Sequence, residues 1–385
     1  MKKKLVIVAP DSFKGSISSS EYCFIAERVA QEFSSVLSIR CFPMADGGEG
    51  TAEILHRTFH AKIKQYQTID ANGQPLNVAV IITQNREVII ESALVVGLNL
   101  PSIQETDVRY RTTSGLGELI HQIYSNGYHN IQIGLGGSGT NDGGFGMLHY
   151  LGIKFLDVDR KVIESFFELD RLSLVDFSDF QKTYPKLKLK CYGDVSNPLT
   201  GVDGATRVFG SQKGVTKELF HYFESRMELL SRTINQVLGT DISKEKGAGA
   251  AGGLGFALRV LGADLYQGAE LFINLYGLQE QLKDADLLIT GEGKSDAQTL
   301  CGKLPVALSK LANKLDVPCV LLSGEVDTEA LEDIQKSFTS CFSISHGPAT
   351  LEAIIEDTQM LLESSLRSIF HLITAQFSQP ELPKS

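Results

Sequence analysis

Seven carboxylates stand in glycine-bearing loops of this chain: Asp11, Asp46, Glu49, Asp142, Asp194, Glu292 and Asp296. Most follow directly on a short apolar run. That placement offers hard oxygen ligands for Mg²⁺ and a base for a hydroxyl proton. Four lysines, Lys14, Lys213, Lys294 and Lys303, sit in or beside the same loops. With backbone N–H donors they would neutralise a transferring phosphoryl group. A single acid or lysine in a loop is ordinarily a solvated group. Acids and lysines sharing several glycine loops point instead to phosphoryl-transfer chemistry.

The densest loop runs through GLGGSGTNDGG (134–144), after an apolar strand predicted over 131–135 and before a helical pattern at 147–151. Glycine lets backbone N–H groups and a ligand approach closely, and such loops suit anions. Gly134, Gly136 and Gly139 match G-x-G-x-x-G, with Asp157 at the distance of a ribose contact. A nicotinamide-dependent oxidoreductase using 134–139 is therefore the alternative reading. It is disfavoured because Thr140-Asn141-Asp142-Gly143-Gly144 is poor material for the first turn of a packed helix. Asp142 would also set a carboxylate near the pyrophosphate. Gly293-Lys294-Ser295 resembles the end of a P-loop but lacks its earlier glycine.

The elements that must carry these loops alternate in type. Residues 5–9 and 37–42 read as buried strands, each followed by a polar loop and then a helix, which describes an open α/β sheet with ligands at its carboxyl edge. Ser18 and Glu21 form a capping-box pattern for the first helix. From residue 61 the texture changes to strands joined by turns, over 63–69, 78–83 and 88–94. Residues 160–190 are charged, weakly patterned and read as peripheral. Strand–helix alternation returns near 285, with buried strands at 287–290, 317–323 and 341–344 and a helical pattern over 350–373. The reading is a discontinuous α/β domain, 1–60 plus 280–385, with an inserted mixed α/β domain at 61–279.

The chain has 385 residues, 43% hydrophobic and 21% charged, which is an ordinary globular composition. Its net charge of −10 argues against nucleic-acid or anionic-membrane partners, so an anionic substrate needs local help. Six scattered cysteines without a C-x-x-C pair read as reduced thiols of a cytoplasmic protein, and the eight histidines show no zinc spacing. The apolar run at 5–9 is too short for a signal peptide and is stopped by Pro10-Asp11. No segment reaches transmembrane length. Oligomeric state is not set by any of these features.

Seven blocks together resemble one family: PDSFKGS (10–16), MADGGEGT (44–51), GLGGSGTNDGG (134–144), DVSNPLTGVDGA (194–205), VFGSQKG (208–214), GAGAAGGLG (247–255) and GEGKSDAQT (291–299). They look like the bacterial glycerate kinases, a two-domain family unrelated to P-loop and protein kinases. The resemblance covers essentially the whole chain in order. It implies ATP-dependent phosphorylation of D-glycerate, with 2-phosphoglycerate favoured over 3-phosphoglycerate. It also implies a flavodoxin-like domain, a second domain resembling a restriction endonuclease, and a site in the cleft. Departures are Gly139 for the usual alanine, Ser211 for the usual proline and Ser295 for an apolar residue.

Within that reading, Asp194 is the first choice of base, Asp11 the second, and Lys14 a catalytic cation acting with Ser12 on anionic ligands. Gly136, Gly137, Ser138, Asn141, Asp142, Lys213, Lys294 and Lys303 are the further substrate- and nucleotide-binding candidates. Asp46, Glu49, Glu292 and Asp296 are assigned to Mg²⁺ or its water shell. The cofactors implied are ATP and Mg²⁺, and the only partners are the small-molecule substrates.

Overall fold

A computed structural model describes residues 3–45, 51–59 and 61–375. The chain opens with strands β1 (Lys4–Val8) and β2 (Leu37–Cys41). It continues through β3 (Lys62–Ile69), β4 (Pro75–Ile82), β5 (Val88–Glu91), β6 (Asn130–Gly134), β7 (Lys188–Tyr192) and β8 (Asp264–Tyr266). It closes with β9 (Leu287–Thr290), β10 (Cys319–Ser323) and β11 (Ser340–Ser343). Two compact units result: residues 1–45 with 272–385, and residues 46–271. The helix Thr51–Phe59, grouped by the sequence reading with the first domain, packs against β4 in the second unit.

The first unit is an all-parallel sheet in the order β11-β10-β9-β1-β2. Numbered by its own strands, the order is 2-1-3-4-5, the flavodoxin-like arrangement. β9 and β10 are buried throughout, as strands covered on both faces must be. The helix Ser19–Gln31 starts at a reciprocal capping box between Ser18 and Glu21, as its sequence predicts. It buries Tyr22, Ile25, Ala26 and Val29 in a core shared with Leu362, Leu366 and Phe370 of the helix Thr358–Thr374. The helical pattern over 350–373 is divided by Asp357 into Leu351–Glu356 and Thr358–Thr374.

The second unit is a mixed sheet in the order β8-β7-β6-β5-β4-β3. β3, β4 and β5 run antiparallel to their neighbours in a meander, whereas β5 through β8 pair in parallel. β6, the strand that feeds the densest glycine loop, lies inside this sheet between β5 and β7. Residues 160–190, which the sequence reads as peripheral, place Phe166, Leu169, Leu172, Val175 and Phe177 in this unit's core.

Candidate functional site

In the second unit the parallel strands β6 and β7 both end at one cavity of about 270 Å³. β6 is apolar because it is central, with Ile131 and Ile133 buried. Beyond Gly134 the chain cannot continue as strand, since Gly137 takes φ +71°. The loop is instead tied down by its neighbour: Leu98 N–H donates to Gly137 O at 2.8 Å and Gly139 N–H to Val96 O at 2.7 Å. Gly136, Gly137 and Ser138 thereby form one wall of the cavity. Gly193 and Asp194, just past β7, form another, with Gln212 and Lys213 beside them. The Asp194 carboxylate accepts from Gly268 N–H at 2.7 Å.

Lys213 ends the short 3₁₀ turn Ser211–Lys213 and is only 3% exposed. Its ammonium donates to Ser138 Oγ at 2.7 Å and Thr140 O at 2.9 Å. Burial drives its pKa down to about 7; Asp142 opposes the shift and Arg111 adds to it. A buried lysine that is half charged near neutrality beside a small cavity can meet an anionic group and gain charge on doing so.

Asn141 and Asp142 are brought into the same loop but do not line the cavity. Asn141 Nδ2 donates to Thr206 Oγ1 at 3.1 Å. The Asp142 carboxylate accepts Thr113 N–H and Oγ–H at 2.9 and 2.8 Å, Gly144 N–H at 3.0 Å and Gly146 N–H at 3.2 Å. Burial raises its pKa against those four bonds. Its geometry is that of a strut that closes the loop onto the helix Ser114–Ser125.

In the first unit, the loops after β1 and β9 meet where the strand order reverses, which is where open α/β sheets hold ligands. Asp11 N–H donates to Gly291 O at 2.8 Å, and a Cβ on Gly293 would lie 3.3 Å from Lys14 N. Asp11 Oδ1 accepts from Ser12 N–H at 2.7 Å, while Lys14 is exposed before Gly15. Glu292 is buried, and its Oε1 takes Ser295 Oγ–H at 3.0 Å and Thr299 Oγ–H at 2.6 Å. Its Oε2 faces Lys303 Nζ at 3.6 Å. Lys294 is drawn to Glu325 at 2.9 Å, and Asp296 caps its own turn by accepting Gln298 N–H at 2.8 Å.

Asp46 and Glu49 lie outside the described residues. Among the described residues no three His, Cys, Asp or Glu side chains gather as a metal cage. Glu292 braces its own loop through the two hydroxyls on Oε1, while Oε2 faces Lys303.

The sequence reading did not single out Arg111, whose buried guanidinium joins the Gly139 loop to the Lys213 turn. It also passed over Ala251, which lines the cavity in a left-handed conformation at φ +54°. No residue pattern announces either one. The geometry gives no support to a dinucleotide at 134–139. The helix after the loop, Phe145–Tyr150, has six residues and begins behind two left-handed glycines, and Asp157 Oδ1 accepts from Asp159 and Lys161 N–H groups within its own turn.

A sequence model of the glycerate kinase family matches residues 6–374. A glycerate kinase of Bacillus subtilis (strain 168) is 36% identical, over 94% of this chain and 96% of its own. A glycerate 2-kinase of Escherichia coli (strain K12) is 34% identical, over 90% and 92% respectively. A glycerate kinase 2 crystal structure from Salmonella typhimurium LT2 superimposes with a TM-score of 0.81 at 31% identity, covering 97% of this chain and 98% of that one. Among the described residues no helix is long and apolar enough to cross a membrane.

Proposed function

The chain belongs to the glycerate kinase family and is a kinase, and from that premise we propose that it transfers the γ-phosphoryl group of ATP to D-glycerate, forming 2-phosphoglycerate. The observation that carries this reading is the buried Lys213 amine at the wall of a cavity shared with Asp194. At about 270 Å³ the cavity lies just below the usual range of ligand-pocket sizes, which suits a three-carbon acid better than a nucleoside triphosphate. The glycerate carboxylate would take the Lys213 ammonium together with the amides of Gly136 and Gly137 and the Ser138 hydroxyl. An anion beside Lys213 favours its protonated form, so binding completes the charge that burial suppresses.

Holding the carboxylate fixes C2 and leaves C3 one further rotatable bond away. Orientation then favours reaction at the C2 hydroxyl, since positioning supplies much of the barrier reduction in phosphoryl transfer. Asp194 is the base proposed for that hydroxyl, and Asp11 the second choice. Lys14, with Ser12, Lys294 and Lys303, is assigned to the phosphates of ATP. Mg²⁺ supplies neutralisation of phosphate charge when bound. Asp46, Glu49, Glu292 and Asp296 are the proposed residues for it or its water shell. A cytoplasmic location belongs to the same proposal, on the acidic composition and scattered cysteines.

Enolase accepts 2-phosphoglycerate but not its 3-isomer. Purified protein with ATP, Mg²⁺ and D-glycerate should therefore yield phosphoenolpyruvate once mutase-free enolase is added. Signal that requires phosphoglycerate mutase would overturn the C2 assignment, and no signal with either enzyme would overturn the reaction.

A further inference from the structure

Arg111 is 8% exposed and sits just ahead of the helix Ser114–Ser125. A guanidinium has five N–H donors, and every one of them here meets a backbone carbonyl. Nε and one Nη2 hydrogen go to Thr106 O at 3.1 and 2.8 Å, and the other Nη2 hydrogen to Ile103 O at 2.7 Å. Nη1 bridges Gly139 O at 3.1 Å and Lys213 O at 2.8 Å. Nη1 therefore ties the glycine loop that carries Ser138 to the turn that carries Lys213. These are the two sides of the hydrogen bond between Lys213 Nζ and Ser138 Oγ. A planar fork can hold such an arrangement; the single ammonium of a lysine cannot.

The charge is as telling as the geometry. The carboxylate nearest in sequence, Asp107, pairs with Arg109, at 2.7 Å from Nη2, so the hydrogen bonds that hold the Arg111 charge all run to backbone carbonyls. The charged groups that face the Lys213 amine are Asp142, from the loop ahead of Phe145–Tyr150, and Arg111, from the turn ahead of Ser114–Ser125. Asp194 lines the same cavity. Asp107 acts on Arg111 in turn.

We propose that Arg111 is a positioning residue: without lining the cavity, its guanidinium clamps the glycine loop to the Lys213 turn, seats the Lys213 amine against Ser138 and sets a like charge in that amine's surroundings. The glycerate-binding role of Lys213 on which this builds is the one proposed above.

Titration of the Lys213 amine by lysine-selective NMR on the whole, unliganded protein tests the charge. Lys213→Met identifies the signal by its loss. In the parent protein the midpoint should lie at about 7. In Arg111→Met it should rise, the direction in which removal of a neighbouring like charge acts. In Arg111→Lys, which keeps the charge but loses the fork, the midpoint should stay while kcat/KM for glycerate falls by about tenfold. Should Arg111→Met fail to fold, Arg111→Gln carries the same expected rise. A midpoint unmoved in the neutral variants overturns the charge coupling, and parent-like kcat/KM in Arg111→Lys overturns the seating. Loss of the glycerate reading shows elsewhere: kcat/KM unchanged in Lys213→Met would sink it while leaving the amine titration to judge Arg111.

Discussion

Lys213 connects stability with activity at the level of one side chain. Its folded pKa is about 7, against the ordinary lysine value of 10.5. Between those values the unfolded chain carries a proton that the folded chain lacks, so stability rises with pH across the interval. The penalty for burying the amine is complete below about pH 7. Lys213→Met should remove this contribution, about 1.4 kcal/mol per pH unit. Urea unfolding of parent and variant across that range checks it; parallel pH dependences would show that Lys213 is not the titrating group. The same variant should lose turnover, because the residue that costs stability is the one proposed to bind the acid. Asp194→Asn separates the other role. The amide oxygen can still accept from Gly268 N–H, so the fold should persist while kcat drops by about 10²- to 10⁴-fold. Collapsed ATP affinity with intact single-turnover chemistry would move Asp194 from proton acceptor to nucleotide residue.

At the scale of elements, the cavity depends on how closely the helix Ala250–Val260 approaches the glycine loop. Ala251, Gly252 and Gly253 take left-handed φ values of 54°, 68° and 94° inside that segment. Gly252 O accepts from Gly143 N–H at 3.0 Å, and a Cβ on Gly252 would meet Thr140 O at 2.1 Å. No side chain fits there. Gly252→Ala should destabilise by about 3 kcal/mol or more, combining strain at positive φ with a backbone clash. Differential denaturation of parent and variant measures this, and an unchanged midpoint would mean that the two segments are not packed so tightly. The helix itself was legible in GAGAAGGLG, but its left-handed start was not. The pattern states that glycine is plentiful, and only the neighbour's distance states which glycine is indispensable.

At the scale of the whole molecule, the chain leaves the first unit at Ala45 and returns at Phe272. The intervening residues hold a complete six-stranded sheet and their own buried cluster, from Tyr66 to Ala263. A core of that size can fold without help. Residues 46–271 expressed alone should therefore unfold cooperatively, with near-UV circular dichroism of fixed tyrosines such as Tyr66, Tyr184 and Tyr192. Glycerate should raise the fragment's melting temperature through the Lys213 cavity, with no turnover of ATP. A fragment with far-UV but no near-UV signal would mean that residues 46–271 do not pack on their own.

Local chemistry written in the chain was enough for the strand–loop–helix order, the capping box at Ser18 and Glu21, the open α/β class and the loops in which acids and lysines gather. Each of these rests on residues close in sequence, where periodicity and turn chemistry act directly. Family membership was legible too, because seven glycine-rich blocks appear in order. Tertiary structure alone decided which loops share a cavity. It set Lys213 against Ser138, 75 positions away, and turned the Asp142 carboxylate onto Thr113, Gly144 and Gly146. It drew residues 166–177 into the core although their pattern is weak. Arg111 became a clamp only because Ile103, Thr106, Gly139 and Lys213 turn their carbonyls toward one point. Burial and carbonyl direction are properties of the packed chain, and a side chain's charge state follows from both, so no linear spacing encodes them.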